Sequence, residues 1–322
     1  LYKDSKWKSW KLKLGLTVYD WLQTKRELPG HKMLSKKQLQ SDVPWLEMTD
    51  CLGGASYYDA QMEDHRLIIE LLLMAEKDGA MIQNYSKVIR VENSPWGYSC
   101  DVQDQFGVIS SINAKAVISA TGAWSNQFST VSQVKPSKGT HIVLPDMKLN
   151  MALLLMTPKD DRVFFVMPWN GKTLIGTTDE FGNFNYDEPK VSNLEIEYLL
   201  DSLNAYNSGK KWGKSDIINA FCGFRPLIHT DITQASNQSR EDAYTWTNKN
   251  MLTVTGGKYT TYRLMSERAL NILQKKVFPK RTITKGNTIK CDFIGKLSIN
   301  DWPSEAQLNQ LANRYHINRE SM

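Results

Sequence analysis

The sequence element that most constrains the fold is Thr253–Arg263, TVTGGKYTTYR, in which a β-branched run meets two glycines and then a helix-forming segment. We predict a strand over Met251–Thr255, a sharp turn at Gly256-Gly257 and a helix over Tyr259–Lys275. This arrangement directs backbone N–H groups and the positive end of a helix dipole at one point, which can bind an anion. A turn that only redirects the chain has the same pattern, so both interpretations stay open at this stage.

The rest of the pattern alternates helical and extended stretches, which predicts a mixed α/β fold with two interleaved lobes. A helix is predicted over Arg66–Lys77, with Asp64 as its N-cap and Gly79 as its C-terminal stop, and another over Leu194–Asn204. A β-meander that leads into a buried strand is predicted between them, at Ala80–Gln83, Lys87–Val91, Tyr98–Val102, Gly107–Ile112 and Ala116–Ser119.

A second β-rich region contains the clearest hairpin of the sequence. Val163–Met167 and Thr173–Thr177 flank Asn170-Gly171, a pair that accepts the positive φ angles of a tight turn. A further helical segment is predicted from Trp302 to Met322. The sequence contains no internal repeat and no low-complexity tract.

The net charge of +6 is concentrated near the first residue, because residues 1–40 hold ten Lys or Arg against three acids. In the same region Trp7, Trp10, Leu14, Val18 and Trp21 recur at spacings of three and four, which places them on one helical face. A helix with tryptophans and lysines fits a lipid headgroup layer. The alternative, which the pattern favours slightly, is that the tryptophans pack on the protein's own core and the lysines are only solvated.

The composition is that of a globular protein, with 41% hydrophobic and 23% charged residues. No apolar run is long enough to cross a bilayer. The cysteines are widely spaced and form no CxxC pair or Cys/His cluster, so we predict reduced, partly buried thiols, no metal site and a cytosol-facing location. The four cysteines are Cys51, Cys100, Cys222 and Cys291.

Several polar residues are candidates for chemistry. Arg225 follows an aromatic residue and precedes a proline, so a stiffened turn can present its guanidinium to a phosphate. Arg240 either does the same or pairs with Glu241. His141 can take a proton from an alcohol, although a lone His beside an apolar strand is by default a structural residue. At a second predicted strand end, Ala120–Trp124, a nucleotide can approach the backbone closely.

Six motifs occur in a single order along the chain. In this combination the chain resembles the FAD-dependent glycerol-3-phosphate dehydrogenases, and the agreement runs from the first residues to about Lys275. The motifs are YYDAQMEDHRL at Tyr57–Leu67, ISATGAWSN at Ile118–Asn126, KGTHIVLP at Lys138–Pro145, FFVMPWNGKTLIGTTDE at Phe164–Glu180, GFRPL at Gly223–Leu227 and TGGKYTTYR at Thr255–Arg263.

The resemblance implies a fold, a cofactor and roles for residues. The fold is the FAD-dependent oxidoreductase type shared by D-amino-acid oxidase and glutathione reductase, in which a partial FAD-binding lobe interleaves with an antiparallel-sheet substrate lobe. Arg225 is implied as the main substrate arginine and His141 as the base for the C2 hydroxyl proton. The implied substrate contacts are Arg225, Arg240, Lys258 and Thr260, and the residues implied to face FAD are Ala120, Thr121, Gly122, Trp124, Gly256, Gly257 and Lys258.

The resemblance also divides the chain. It implies a basic, Trp-rich part of the substrate lobe at 1–45, part of the FAD-binding lobe at 46–126, the substrate lobe at 127–230, a return to the FAD-binding lobe at 231–280 and the truncated start of a helical C-terminal domain at 296–322. No GxGxxG occurs among the glycines, so we expect that segment, and an Arg-Tyr pair of the family, to precede Leu1. We expect the chain by itself to retain FAD poorly and to have little or no activity.

The implied reaction oxidises sn-glycerol 3-phosphate to dihydroxyacetone phosphate and passes electrons through FAD to a membrane quinone. The implied location is the cytoplasmic face of a membrane, or the mitochondrial inner membrane in a eukaryote, with an anionic lipid surface as partner; a homodimer stays open. Nucleic acid binding is not predicted, because the basic patch lacks a reading motif.

Three alternatives remain at this stage. A glycerol-3-phosphate oxidase shares the motifs but gives its electrons to oxygen. An amine- or amino-acid-oxidising flavoenzyme is disfavoured by the cations at Arg225, Arg240 and Lys258. A non-catalytic protein that binds membranes through the basic Trp face is the alternative from another class.

Overall fold

The computed structural model describes residues 1–3, 8–22, 28–128, 134–228 and 241–281. Its helices are α1 Ser9–Leu22, α2 Lys36–Asp42, α3 Asp64–Lys77, α4 Asn193–Ala205 and α5 Tyr262–Val277. Its first strands are β1 Lys32–Leu34, β2 Gly54–Ser56, β3 Lys87–Ser94, β4 Gly97–Gln103, β5 Ile109–Ala114, β6 Val117–Ser119 and β7 Ser137–Pro145. The later strands are β8 Leu153–Met156, β9 Val163–Trp169, β10 Lys172–Gly176, β11 Glu180–Phe181, β12 Asn219–Arg225, β13 Asp242–Asn248 and β14 Met251–Gly256. The predicted mixed α/β class is confirmed.

The chain divides into two compact units. One comprises Leu1–Asp59, Arg90–Cys100 and Ser111–Arg281. The other, within the described residues, comprises Ala60–Ile89 and Asp101–Ser110 and contains α3. The predicted boundaries between an FAD-binding lobe and a substrate lobe stay a prediction.

A six-stranded antiparallel sheet forms the centre of the first unit. Strand β7 is its middle strand: β10 and then β11 pair one edge of it, β12 pairs the other edge, and β9 and β8 follow β10 outward. Successive side chains of a strand point to opposite faces. Ile142 and Leu144 of β7 therefore share a face, where they pack against Leu199 and Leu203 of α4 in the largest hydrophobic core. The other face of β7 carries Ser137, Gly139, His141 and Val143.

The predicted hairpin at Asn170-Gly171 is confirmed. It joins β9 to β10, and both turn residues have positive φ angles, 48° and 70°. This is the combination that a two-residue turn needs to match the twist of its strands.

A second sheet carries the strand that runs into the paired glycines. Its order is β13-β14-β6, with β13 antiparallel and β6 parallel to β14. Beside it Tyr98 and Cys100 of β4 pack with Met251 of β14 in a smaller core cluster. Strands β3, β4 and β5 form a three-stranded sheet in that order.

The predicted helix at α3 is confirmed, but its ends correct two predictions. Asp64 is the first helical residue rather than the N-cap, and its carboxylate accepts a bond only one residue along, from the N–H of His65 at 2.8 Å. Gly79, with φ of 91°, ends the helix as predicted. Ala80 donates its N–H to the carbonyl of Ala75, as in a Schellman motif. The predicted strand over Ala80–Gln83 is wrong, because this stretch begins as the helix cap and forms no strand.

Helix α1 confirms the helical period of the Trp-rich segment. Its stripe is exposed, with exposed fractions of 61% for Trp10, 59% for Leu14 and 77% for Trp21, and only Leu16 of this helix is buried. The interpretation that the stripe packs on the protein's own core is therefore wrong for these residues. Trp7 lies outside the described residues.

The remaining predictions on composition concern cysteines and membrane spans. Cys51, Cys100 and Cys222 are free thiols, the first two buried, as predicted, while Cys291 lies outside the described residues. Within the described ranges no helix is long and apolar enough to cross a membrane, and no group of His, Cys, Asp or Glu is arranged to hold a metal ion. The predicted helical segment from Trp302 also lies outside the description.

Candidate active site

His141 and Arg225 share one face of the six-stranded sheet, the face of β7 opposite Ile142 and Leu144. Arg225 of β12 lies opposite Ser137 of β7, and His141 lies on the same side of β7 as Ser137, four residues on. The residue between them on this face is Gly139, and a Cβ there would overlap the Arg225 guanidinium. The glycine therefore lets the guanidinium lie flat on the sheet.

A second glycine makes the same room for the imidazole. Gly176 of β10 is paired with His141, and a Cβ at Gly176 would overlap the imidazole ring. On the other edge of β7 the Phe221 ring stacks on this imidazole, with centroids 5.3 Å apart and planes within 13°. Trp169 packs on Phe221 in turn, at 6.5 Å between centroids. The orientation of His141 is thus set by a glycine on one side and an aromatic ring on the other.

The guanidinium of Arg225 is held by the segment that joins β10 to β11. Its Nη1 lies 3.2 Å from Oδ1 of Asp179 and 3.4 Å from the carbonyl oxygen of Thr178, and its Nη2 donates to Oγ1 of Thr177 at 3.1 Å. The Arg225 side chain is 28% exposed and that of Asp179 is 12% exposed. The guanidinium is oriented by polar contacts yet still reaches solvent.

The opposite face of the same strands carries a buried ion pair. Lys138 of β7 lies 2.6 Å from Glu195 of α4, and the two side chains are 6% and 0% exposed. Burial acts to raise the pKa of Glu195, but hydrogen bonds from Lys138, Thr140 and Ser192 outweigh it and hold that pKa below its ordinary value. Glu195 is therefore a buried carboxylate whose charge is fully supported by donors.

The paired glycines at the end of β14 adopt the predicted turn, with φ of 69° at Gly256 and 83° at Gly257. Side chains are excluded there, because a Cβ at Gly256 would clash with the carbonyl of Glu241 and one at Gly257 would overlap Met265. Two details correct the prediction. The N–H of Gly257 is not available to an anion, since it donates to the Glu241 carbonyl at 3.0 Å, and the helix after the turn starts as a 3-10 segment before becoming α-helical at Tyr262.

The second predicted strand end lies beside this turn. Because β6 and β14 are parallel, with Ser119 beside Thr253, their carboxyl ends meet at the same edge of the sheet. Gly122, just beyond β6, has φ of 57° and open space where a Cβ would point. Trp124 is anchored by a hydrogen bond from its indole to Asp187 at 2.9 Å. A flat group can approach the backbone at this edge without meeting a side chain at Gly122.

The Ile228 side chain connects the predicted site residues near Arg225 with those at the paired glycines by packing. Ile228 follows Arg225 by three residues, and its Cδ1 would lie 3.0 Å from a Cβ at Gly256. The turn after Arg225 is thus packed on the paired glycines. Lys258 and Thr260 are exposed just past them, and Arg240 lies outside the described residues.

Reasoning from sequence missed the residues that hold the two predicted ones. Asp179 and Thr177 belong to the motif at Phe164–Glu180, but their contact with Arg225 depends on the pairing of β7 with β12, about eighty residues apart along the chain. Phe221 and the two glycines were missed for the same reason. The alternation of KGTH in β7 is the signal that places Gly139 and His141 on one face.

Comparison with known proteins identifies the family. Residues 3–263 match the family model described as FAD dependent oxidoreductase. The chain belongs to the FAD-dependent oxidoreductases. FAD is the cofactor of this family, and the glycine-lined edge formed by Gly122, Gly256 and Gly257, where side chains are absent or excluded, fits the approach of a flat ring system.

Individual proteins similar to this chain are more specific than the family model. The chain is 34% identical over 283 residues to the aerobic glycerol-3-phosphate dehydrogenase of Staphylococcus haemolyticus, an alignment that covers 84% of this chain and 51% of the relative. The structure of the glycerol-3-phosphate dehydrogenase from Bacillus halodurans complexed with FAD is similar, with a TM-score of 0.68 and 28% identity over 76% of this chain and 49% of that one. L-alpha-glycerophosphate oxidase from Mycoplasma pneumoniae, at 17% identity and a TM-score of 0.62 over 82% of this chain and 68% of that one, shares the fold. The chain spans about half the length of the dehydrogenases it matches.

Proposed function

We propose that the protein oxidises sn-glycerol 3-phosphate to dihydroxyacetone phosphate. The observation that carries this proposal is the placement of Arg225 and His141 on one face of the sheet, separated on that face by a glycine. A phosphate ester of a secondary alcohol needs a fixed cation for its phosphate and a base near its hydroxyl, and these two residues offer both. Relatives named as glycerol-3-phosphate dehydrogenases support the choice of substrate.

In this proposal each residue has a separate task. Arg225 binds the phosphate through its planar fork of N–H donors, aided by the charge of Lys258, by the hydroxyl of Thr260 and by Arg240. His141 accepts the proton of the C2 hydroxyl, while the stacked Phe221 keeps the imidazole in place. FAD bound against the edge formed by Gly122, Gly256 and Gly257 would supply the hydride acceptor for C2. Oxidation of the alcohol to the ketone removes one proton, which the His141 imidazole takes, and one hydride, for which this cofactor would be the acceptor.

The electron acceptor is a separate part of the proposal. We favour a membrane quinone over oxygen, with the protein attached peripherally to an anionic membrane at its cytoplasmic face. The exposed Trp10 and Trp21 of α1, together with neighbouring lysines, support such attachment, since indoles and ammonium groups both suit a headgroup layer. Production of hydrogen peroxide in place of reduction of a soluble quinone would favour the oxidase alternative.

The proposal predicts distinct kinetic effects for the two central residues. In the full-length, FAD-loaded protein, Arg225→Ala is expected to raise the KM for glycerol 3-phosphate sharply and to lower kcat, because the phosphate loses its partner. His141→Ala is expected to slow flavin reduction in stopped flow. Arg90→Ala and His65→Ala, at exposed positions of β3 and α3, serve as matched controls. Unchanged kinetics in the Arg225 variant would remove it from the site, and normal flavin reduction in the His141 variant would assign the base elsewhere.

A further inference from the structure

We propose that Glu195 is a positioning residue for Arg225, and that it acts from the opposite face of the sheet through the Thr177–Asp179 segment. The inference rests on the proposed function in one respect, that Arg225 binds the phosphate of the substrate. Arg225 and Glu195 lie on different faces of the strands around β7, so an effect of Glu195 on the position of Arg225 must pass through the backbone and side chains that connect these faces.

On the Arg225 face, the segment grips the guanidinium at three points. Thr177 and Asp179 accept from it with their side chains, and Thr178 accepts with its carbonyl. Asp179 is itself held in place, since its carboxylate also accepts from the hydroxyl of Ser137 and its carbonyl accepts from Arg162 at 2.6 Å. The position of the guanidinium therefore depends on the position of this short segment.

On the other face, the middle residue of the segment is bound to Glu195. Thr178 points away from Arg225, because side chains alternate along an extended chain. Its hydroxyl lies 3.3 Å from Oε1 of Glu195 and accepts the N–H of Thr140 at 2.9 Å. The N–H of Thr178 donates to the carbonyl of Thr140 at 3.3 Å. The segment is thus fastened to β7 and to Glu195 at Thr178, the residue between the two whose side chains hold Arg225.

Glu195 is suited to be a rigid anchor. Its Oε1 accepts from the Thr140 hydroxyl at 2.6 Å, and its Oε2 accepts from Lys138 at 2.6 Å and from the N–H of Ser192 at 2.9 Å. The last contact belongs to the capping box that starts α4, so the same carboxylate fixes the helix, the central strand and the segment. Buried, fully hydrogen-bonded charges resist displacement, because a shift would leave a donor or the carboxylate unsatisfied.

The experiment asks whether Glu195 and its contact Thr178 act through Arg225. In the full-length, FAD-loaded protein, Thr178→Val removes the hydroxyl that links the segment to Glu195, and Thr178→Ser keeps it. We expect Thr178→Val to raise both the KM for glycerol 3-phosphate and the Kd for inorganic phosphate, measured by calorimetry, about tenfold with kcat within about threefold. Thr178→Ser is expected to restore both values. Glu195→Gln is expected to shift them in the same direction.

The decisive comparison is a double-mutant cycle. If the segment acts through Arg225, Thr178→Val adds nothing to the phosphate Kd once Arg225→Ala is present, whereas independent effects multiply and would overturn the inference. Glu197→Gln, at an exposed pair with Lys214 two residues along α4, is the matched control and is expected to change neither constant. Since Glu195→Gln leaves Lys138 buried without its partner and can prevent folding, the Thr178 pair carries the test.

The failure of this inference and that of the proposed function are distinguishable. Wild-type protein that binds phosphate through Arg225 but does not oxidise glycerol 3-phosphate would overturn the proposed function, while the phosphate cycle, read together with Glu195→Gln, would still decide whether Glu195 and Thr178 act through Arg225. Wild-type turnover with a phosphate Kd that is the same in Thr178→Val as in wild type would overturn the inference alone.

Discussion

At the scale of single residues, the site depends on glycines as much as on charged side chains. Gly139 lies beneath the guanidinium of Arg225, and Gly176 lies beneath the imidazole of His141. A Cβ at each glycine would occupy the space of the group above it. Arg225 and His141 were predicted from sequence because their chemistry is visible in their neighbours. The glycines were not, because their role arises only when β7, β10 and β12 are aligned.

We predict that Gly139→Ala weakens phosphate binding while it leaves stability almost unchanged. The new methyl group meets only the end of a flexible side chain, so Arg225 moves aside rather than the backbone, and the KM for glycerol 3-phosphate is expected to rise about tenfold. Gly223→Ala is the control, since it adds the same methyl group at the paired position of β12, where the space is open. Equal KM values in the two variants, with equal thermal midpoints, would contradict the role assigned to Gly139.

At the scale of elements, local sequence signals placed α1, α3, α4 and α5 and about half of the strands, whereas α2 and short strands such as β1, β2 and β11 were not predicted. The Ser192–Glu195 capping box starts α4 one residue before the prediction, and Asn170-Gly171 forms the predicted turn. The prediction failed where a strand was expected directly after the end of a helix. The N–H of Ala80 belongs to the cap of α3 rather than to a strand. The helix after the paired glycines starts later than predicted, because its first turn is a 3-10 segment.

One contact between elements makes the stability of the fold depend on pH. Asp160, in the turn between β8 and β9, accepts from Tyr198 of α4 at 2.9 Å and from Arg162 at 2.8 Å. Burial acts to raise the pKa of Asp160, but these bonds and one from Thr157 outweigh it and lower the pKa from 3.8 to about 2. A carboxyl whose folded pKa lies below its unfolded value stabilises the fold above the unfolded pKa, and this stability is lost as the pH falls through the folded pKa.

Asp160→Asn is therefore expected to lower the free energy of unfolding by about 1 kcal/mol at pH 6, a value reduced for solvent screening at a partly exposed site. The difference from wild type is expected to shrink below about pH 4 and to be largely lost by about pH 2, as measured by urea unfolding across this range. Asp50→Asn, at an exposed pair with Lys3, provides the control. A difference that stays constant from pH 6 to pH 2 would show that the charge of Asp160 is not its cause.

At the scale of the whole molecule, sequence patterns predicted the class of fold but not the order of strands. The pairing of β12 with β7 joins residues about eighty positions apart, and no local signal encodes such a pairing. The exposure of α1 was not predicted, because its pattern slightly favoured packing on the protein's own core, although an amphipathic stripe fits a membrane surface too. The structure leaves Trp10 and Trp21 exposed in the described chain.

We predict that Trp10→Ser with Trp21→Ser reduces co-sedimentation with vesicles that contain anionic phosphatidylglycerol several-fold. Binding of the wild type is expected to weaken as salt is raised, because the lysines of α1 interact with the lipid charge over about a Debye length. Trp96→Ser is the matched control, since Trp96 is 79% exposed but lies outside α1, between β3 and β4. An equal loss of binding in the control would show that any exposed indole contributes and that α1 is not the contact surface.

Because the side chains of β7 alternate between two faces, the pairing that builds the core also positions the site residues. A slip of one residue in its pairing would exchange the two faces of β7, which would move Ile142 and Leu144 away from α4 and place His141 in the core in their place. A chain with this mispaired strand would aggregate rather than persist as a soluble but inactive protein. A variant that stays soluble has therefore kept the correct pairing of β7. Mutations that abolish turnover in soluble protein are expected to concentrate in side chains on the face that carries Arg225 and His141.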